Sequence, residues 1–503
     1  MIESALTLFP AVPLLGAGIA ALAASQVTLM RRLLLIVLTV NTAAAAYLVA
    51  ATADGSVFAH QVGDWPAGIS IPFVLDAFSA LMMLVAGGLI LVSVVFALIA
   101  GTGRHRLFPA LILTLLAGVN GALLTGDLFN LFVFIEVMLI PSYGLLVLSS
   151  RGEGTARSVT GSRIYITFNL FVSTLFLVGV GFVYGTAGTV NMGELAGSAA
   201  ESPQVAAAVA ICLAALGMKA AVVPVHGWLA RSYPSTSPAI TALFSALHTK
   251  VAIYAIYRIY AVVFEGDQRY LWIGVVLFSA TMLVGVLGAV GEERMRSILA
   301  FHMVSQIGYI LLGVALFTPL GLAAGIFYLL HHMIVKASLF LSVGALEERF
   351  GTDRLSELKG RIGADPIIAA AFCFAALSLA GLPPFSGFFA KLTLLTAAAD
   401  KGEYGAIIVA LVVSLITLLS MLKIFNVVVA PSFTREAPAE PVGDGGVAVD
   451  QYKRTSLRLA APALVLAGVT LMLGLGSQVL MELAITAAGG LVDTTAYVEV
   501  LTR

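Results

Sequence analysis

Charge is scarce in this chain. Aspartate, glutamate, lysine and arginine make up 11% of its 503 residues, against about 25% in soluble domains. The few charges balance, 27 basic against 27 acidic, so nothing suggests a basic surface for nucleic acid. Cysteine is nearly absent. Cys212 and Cys373 stand alone inside apolar runs, with no CxxC or Cys/His spacing for a metal or cluster. The sequence has no Walker phosphate loop, which argues against direct use of ATP. It also lacks a histidine pair in the context of a haem site and any long polar domain. We therefore expect no cofactor and no bound metal. What is present is apolar: 60% of the chain is hydrophobic. This composition is that of an integral membrane protein. The first apolar run lacks a basic segment before it and reads as a mature helix, not a cleaved signal.

A bilayer core of roughly 30 Å takes about 20 apolar residues per helix. Runs of that length predict fourteen spans: 4–24, 31–51, 73–100, 107–125, 127–149, 163–185, 205–230, 238–263, 272–290, 296–315, 321–346, 367–399, 403–429 and 457–483. Lys and Arg set the orientation. Alternate loops, beginning with Arg31 and Arg32, hold eighteen cations, whereas the opposite side holds only Arg269, Lys401 and Arg503. Both termini are therefore expected outside the cytoplasm. The largest loops, 347–366 and 430–456, read as cytoplasmic connectors or docking segments.

Six cations fall within spans: Lys219, Lys250, Arg258, Lys336, Lys391 and Lys423. Arg258 and Lys423 lie near span ends, within reach of the headgroups by snorkelling. The other four lie deep. Glu136 lies deep as well, in Asp127-Leu-Phe-Asn-Leu-Phe-Val-Phe-Ile-Glu136. An acidic residue at a helix centre costs roughly 3 kcal/mol to insert. Such a residue points to function once a partner is named. Asp76 and Asp127, at the starts of spans, are expected to hold loop amides.

Two segments match at an offset of 160: Pro224-Val-His-Gly-Trp-Leu-Ala230 and Pro384-Phe-Ser-Gly-Phe-Phe-Ala390. Spans four to eight fall near spans nine to thirteen at the same offset. A repeat of five helices follows, and an odd number must place successive units in opposite senses. The matched segments carry Pro and Gly, which predicts interruptions in spans seven and twelve. Broken backbone at membrane depth belongs where it is packed by protein or lines a wet cavity.

The deep set runs Glu136, Lys219, His248, Lys250, His331, His332, Lys336 and Lys391. Glu and Lys in one desolvated region stabilise each other's charged form, and opening such a pair frees either group to change protonation. Histidine titrates near neutrality and can bridge such carriers. His332 and Lys336 are four apart and share a helix face. His331 points about 100° away from His332 on a helix of 3.6 residues per turn, so one of the two could be merely packed. His248 and Lys250 point to different faces. His226 could cap carbonyls freed by the break, and His302 could join the path from span ten.

These motifs resemble the antiporter-like subunits shared by respiratory complex I, membrane-bound hydrogenases and Mrp-type multisubunit cation/proton antiporters. The resemblance rests on Thr125-Gly-Asp-Leu-Phe-Asn through Glu136, Lys219 through Leu229, Pro238 through Lys250, and Gly381-Leu-Pro-Pro-Phe-Ser-Gly through Lys391. It covers nearly the whole chain. The D-type Mrp subunit is most similar, in Gly63-Asp-Trp-Pro-Ala-Gly-Ile69 and in the absence of a long carboxy-terminal extension. Pro141 departs from the family pattern.

The resemblance implies an all-α integral membrane protein of fourteen transmembrane helices, with two inverted five-helix repeats and broken helices seven and twelve. The expected units are 1–106 (helices one to three), 107–263 (first repeat), 264–429 (second repeat) and 430–503 (a cytoplasmic loop and helix fourteen). It implies an ion pair of Glu136 with Lys219, a central relay at Lys250, a link through His332 and Lys336, and a terminal carrier at Lys391. The implied activity is proton movement between two half-channels in a multisubunit Na⁺/H⁺ antiporter of a prokaryotic cell membrane, beside A-type and small membrane subunits. The alternative is a proton-pumping subunit of an NADH:quinone oxidoreductase or a membrane-bound hydrogenase.

Overall fold

Helices begin and end where the local chemistry directs. Proline opens the helices Pro203–Lys219, Pro238–Val263, Pro319–Phe350 and Pro366–Ala380, where its missing N–H is no loss. Asp76 caps Ala77–Ala100 by accepting from the Ser79 amide, and Ser79 returns a bond to the Asp76 amide. Gly101, Gly351 and Gly381 close their helices in the left-handed region. Our computed structural model describes residues 2–66, 68–148, 155–359, 365–430 and 455–503. Most of loop 430–456 and residues 360–364 of loop 347–366 lie outside the described residues.

The chain is predominantly helical. Among the described residues, eleven helices are long and apolar enough to cross a membrane. A bent pair, Ser477–Val492 with Thr495–Thr502, would make a twelfth. Three further apolar helices are shorter: Phe108–Leu124, Pro203–Lys219 and Pro366–Ala380.

Three features differ from expectation. The all-α reading omits an antiparallel hairpin, Phe58–Gln61 with Pro72–Leu75. The apolar run from 73 therefore begins as a strand, and the helix starts only after the Asp76 cap. The run 457–483 is not one helix: Leu457–Leu475 ends at Gly476, and Ser477–Val492 follows. A Cβ on Gly474 would lie 2.1 Å from the Pro384 carbonyl oxygen, so this interruption packs directly on another. Arg258 does not snorkel. Its side chain is buried and pairs with Asp76 at 2.6 Å.

The expected interruptions are present. One helix stops at Lys219 and resumes as Gly227–Ser232. Another stops at Ala380 and resumes as Ser386–Asp400. Each intervening turn holds a cis peptide bond, Val223–Pro224 and Pro383–Pro384.

The core is formed by Pro238–Val263, Met295–Leu316 and Pro319–Phe350. Every residue of the first is buried, and nearly every residue of the other two. Helices such as Val27–Ala51 and Tyr404–Val428 bury one stripe and present leucine, isoleucine and valine outward, as a lipid-facing helix must. The most buried helices are thus the ones that carry His248, Lys250, His302, His331, His332 and Lys336.

Candidate functional site

The deep residues form two polar clusters joined across the core helices. The first surrounds the break after Lys219. The Lys219 ammonium ends a helix, is 2% exposed, and donates to Asn169 Oδ1 at 3.2 Å. Asn169 in turn donates to the backbone carbonyl of Tyr165, one turn earlier. The Tyr165 hydroxyl meets His248 Nδ1 at 3.0 Å, and Ser142 Oγ meets His248 Nε2 at 2.8 Å. Both ring nitrogens of His248 are therefore occupied.

Glu136 is half-buried, and its Oε1 has no hydrogen-bond partner. It lies near enough for its charge to act on Lys219 and on Tyr143. The expected Glu136–Lys219 ion pair is not formed: no contact between them falls within 4 Å among the described ion pairs, and the ammonium bonds Asn169.

The middle of the site is built on two core helices. Lys250 folds back on its own helix, donating to the Ser245 carbonyl at 2.5 Å and to Thr249 Oγ1 at 3.1 Å. Lys336 donates to the Leu299 carbonyl at 3.0 Å. His332 lies within electrostatic reach of both lysines. Its two ring nitrogens are buried and make no hydrogen bond. An unsatisfied buried polar group is costly, at about 1–3 kcal/mol, so His332 occupies a place where a proton donor or a water is wanted.

The second cluster surrounds the break after Ala380. The Lys391 ammonium donates to the Ala380 carbonyl at 2.9 Å, capping the end of the first half-helix, and lies 5.4 Å from the Tyr309 ring centroid. Gly381 permits this closeness, since a Cβ there would lie 2.7 Å from Lys391 Cδ. His331 Nδ1 meets Ser386 Oγ at 2.8 Å, at the start of the second half-helix, and its ring stands edge-on to Tyr328. His331 and His332 therefore face different surroundings, as their spacing implies.

Several residues escape a reading of the sequence or are left undecided by it. His302 is fully buried, bonds Ser420 Oγ through Nε2 at 3.0 Å, and lies within electrostatic reach of both Lys336 and Lys391. Asn169, Ser142 and Tyr165 carry no mark beyond being polar in apolar helices. Tyr328 donates to Gln306 Oε1, and Tyr309 to the Ala410 carbonyl. His226 is partly exposed beside Phe301, with Nδ1 unpartnered. Asp127 accepts from the Asn130 amide at 2.7 Å and so starts its helix as expected.

Known proteins share this fold. The transmembrane family described as NADH:quinone oxidoreductase/Mrp antiporter matches residues 125–417, a stretch that contains the deep charged and histidine residues from Glu136 to Lys391. The D-type subunit of the Na(+)/H(+) antiporter of Alkalihalophilus pseudofirmus is 38% identical over 461 residues, 90% of each chain. A chain of the Mrp complex from Dietzia sp. DQ12-45-1b superposes with a TM-score of 0.93 at 54% identity, over 100% of both chains. A chain of the membrane-bound sulfane sulfur reductase, an archaeal respiratory membrane complex, gives a TM-score of 0.86 at 25% identity, over 99% of this chain and 100% of that one. The chain belongs to the NADH:quinone oxidoreductase/Mrp antiporter transmembrane family.

Proposed function

We propose that this chain is the proton-translocating D-type subunit of a multisubunit Na⁺/H⁺ antiporter in a prokaryotic cell membrane. It is a subunit of a secondary transporter, not an enzyme, and works beside other membrane subunits. One observation carries the reading: a row of buried ionisable side chains threads the core of a chain similar along nearly its whole length to the D-type subunit of a Na(+)/H(+) antiporter. The similarity to the sulfane sulfur reductase chain favours a redox-driven module as the second reading, but at 25% identity against 54% for the Mrp chain.

The fourteen-span architecture follows if the three shorter apolar helices join the eleven long ones, two of them continued by the half-helices after their breaks. Helices four to eight (107–263) and nine to thirteen (264–429) then form the two inverted repeats. Residues 1–106 precede them and 430–503 follow. The distribution of Lys and Arg supports an outer position for both termini.

In this reading Lys219 exchanges between Asn169, where it now rests, and the carboxylate of Glu136. Its departure from the neutral amide to the charged acceptor changes the field at His248. Lys250 passes a proton through His332 to Lys336, and His302 and His331 continue the row to Lys391. Taking an ammonium out of water is costly unless it is paired. Each lysine therefore holds its proton only while a partner or a neighbouring charge favours it. The test is Na⁺/H⁺ exchange in vesicles carrying the whole complex, with Glu136→Ala or Lys219→Ala and with assembly measured on the same sample. Loss of exchange with assembly intact is expected. Assembled variants that exchange at full rate would refute the proposal.

A further inference from the structure

The row of ionisable groups ends in the core and needs a way to water on the outer side. One place supplies the parts. Arg258 and Lys250 lie on one helix, eight residues apart, with Tyr254 midway, so the three share a face. Two turns separate Lys250 from Arg258, about 12 Å along the axis at 1.5 Å per residue. Arg258 Nη2 donates to Asp76 Oδ2 at 2.6 Å and to the Tyr254 hydroxyl at 3.4 Å. The guanidinium carbon lies 4.3 Å from the centroid of the Tyr497 ring. Its Nε and Nη1 are buried and have no partner, on a side chain only 2% exposed. A buried guanidinium with idle donors is unfavourable unless water reaches it.

A cavity of about 300 Å³ is lined by Asp76 and Tyr497, two of the residues that contact this guanidinium. Its floor includes Asp76, Ala77 and Tyr497, which are buried, and its rim includes Gly55, Gly489 and Asp493, which are exposed. That volume is large enough to hold several waters. Asp76, Thr486 and Asp493 supply acceptors for them. The cavity therefore joins bulk water to a closed ion pair that stands on the same helix face as the central lysine.

We propose that this cavity is the outer mouth of the proton path and that the Asp76–Arg258 pair, walled by Tyr254 and Tyr497, is its gate. When the pair parts, water in the cavity reaches Tyr254 and the face that leads to Lys250. When it closes, the carboxylate and the guanidinium seal that face. The proposal rests on the proton-path reading and on the orientation drawn from the loop cations.

The test plugs the cavity from a known side. A Cβ on Gly490 would lie 3.9 Å from Asp76 Oδ2, and one on Gly489 would meet nothing within 4 Å. Gly490→Cys is made in a chain with Cys212→Ala and Cys373→Ala, within the whole complex, and a membrane-impermeant methanethiosulfonate is added from one side at a time. Gly489→Cys serves if the first variant does not assemble. Glu201→Cys is the control, exposed and outside the cavity. Labelling from the outer side only, with loss of most of the exchange at 490 or 489 and none at 201, is expected. Complete labelling with exchange at full rate, or labelling from the cytoplasmic side only, overturns the proposal. Glu136→Ala in the same background separates the two readings. If that variant is inactive while the plugged cavity conducts, the proton path stands and only its mouth lies elsewhere.

Discussion

Gly227 and Gly387 hold the same place in the matched segments of the sequence, yet the structure gives them opposite tolerances. A Cβ on Gly387 would lie 1.8 Å from the Ser378 carbonyl oxygen, 2.9 Å from its carbonyl carbon and 3.1 Å from His331 Cε1. Carbon and oxygen rest at about 3.3 Å or more, so the two half-helices must part by roughly 1.5 Å. The obstacle is backbone and cannot rotate away. Overpacking of this kind costs about 1–3 kcal/mol, occasionally more, and the upper end applies here. The same shift breaks the 2.8 Å bond between His331 and Ser386. A Cβ on Gly227 meets nothing within 4 Å, and a change into open space of this size stays within about 0.5 kcal/mol. Gly387→Ala and Gly227→Ala are therefore compared in one experiment: the fraction of chain retained in the complex after graded heating, and exchange in vesicles. Gly387→Ala should lose both stability and rate, and Gly227→Ala neither. Equal behaviour of the two variants would refute the geometry of the second break.

Three further outcomes are expected. Asn169→Leu removes the acceptor of a buried ammonium, a bond worth about 1.5–3 kcal/mol, and should abolish most exchange; Asn169→Asp should retain the bond but hold Lys219 too firmly, giving a stable and slow complex. His302→Leu should slow exchange about 10²-fold, the scale of a positioned proton-transfer group, with assembly unchanged; full-rate exchange in the assembled variant removes His302 from the row. Arg258→Leu alone leaves the Asp76 carboxylate without its cation at the edge of the cavity, a loss below the ~3–5 kcal/mol of a fully buried pair, so heat resistance should fall more in the single variant than in Arg258→Leu with Asp76→Asn. Additive losses would show that the pair does not act as a unit.

How much of this is legible in the sequence depends on whether the signal is local. Helix bodies are readable from apolar runs of span length, and the breaks near Pro224 and Pro384 from residues that cannot continue a helix. The deep lysines are readable because a charge in an apolar run is conspicuous. Their partners are not. Charge alone leaves Glu136 several candidate partners, and the family resemblance pairs it with Lys219, whereas the ammonium rests on Asn169, fifty positions away on another helix. Arg258 looks like a snorkelling end residue, and only the fold brings Asp76 to it. The turn at Gly476 is hidden because glycines within an apolar run cost little in the pattern; the packing of nearby Gly474 against Pro384 is tertiary. The short hairpin at 58–75 has no period long enough to register.

The resting partners of the lysines bear on how the proposed path would work. Lys250, Lys336 and Lys391 donate to main-chain carbonyls, and Lys219 to an amide oxygen. Such oxygens accept hydrogen bonds but do not take protons at physiological pH. Each lysine is thus held where it can keep a proton and cannot pass one. Transfer requires the side chain to leave its carbonyl for a group with a basic lone pair. Between Lys250 and Lys336 that group is His332, whose ring nitrogens are free of hydrogen bonds while those of His248 are both occupied. On the proposed path the observed arrangement would be a holding state. These carbonyl bonds would have to break before each transfer, and His332, within electrostatic reach of both Lys250 and Lys336, would be the acceptor between them. His332→Asn should expose this division of labour. Its amide keeps a polar group at the same place but cannot carry a proton, so exchange should stop while assembly and heat resistance stay near those of the parent. An assembled His332→Asn complex that exchanged at full rate would mean that water alone bridges the two lysines.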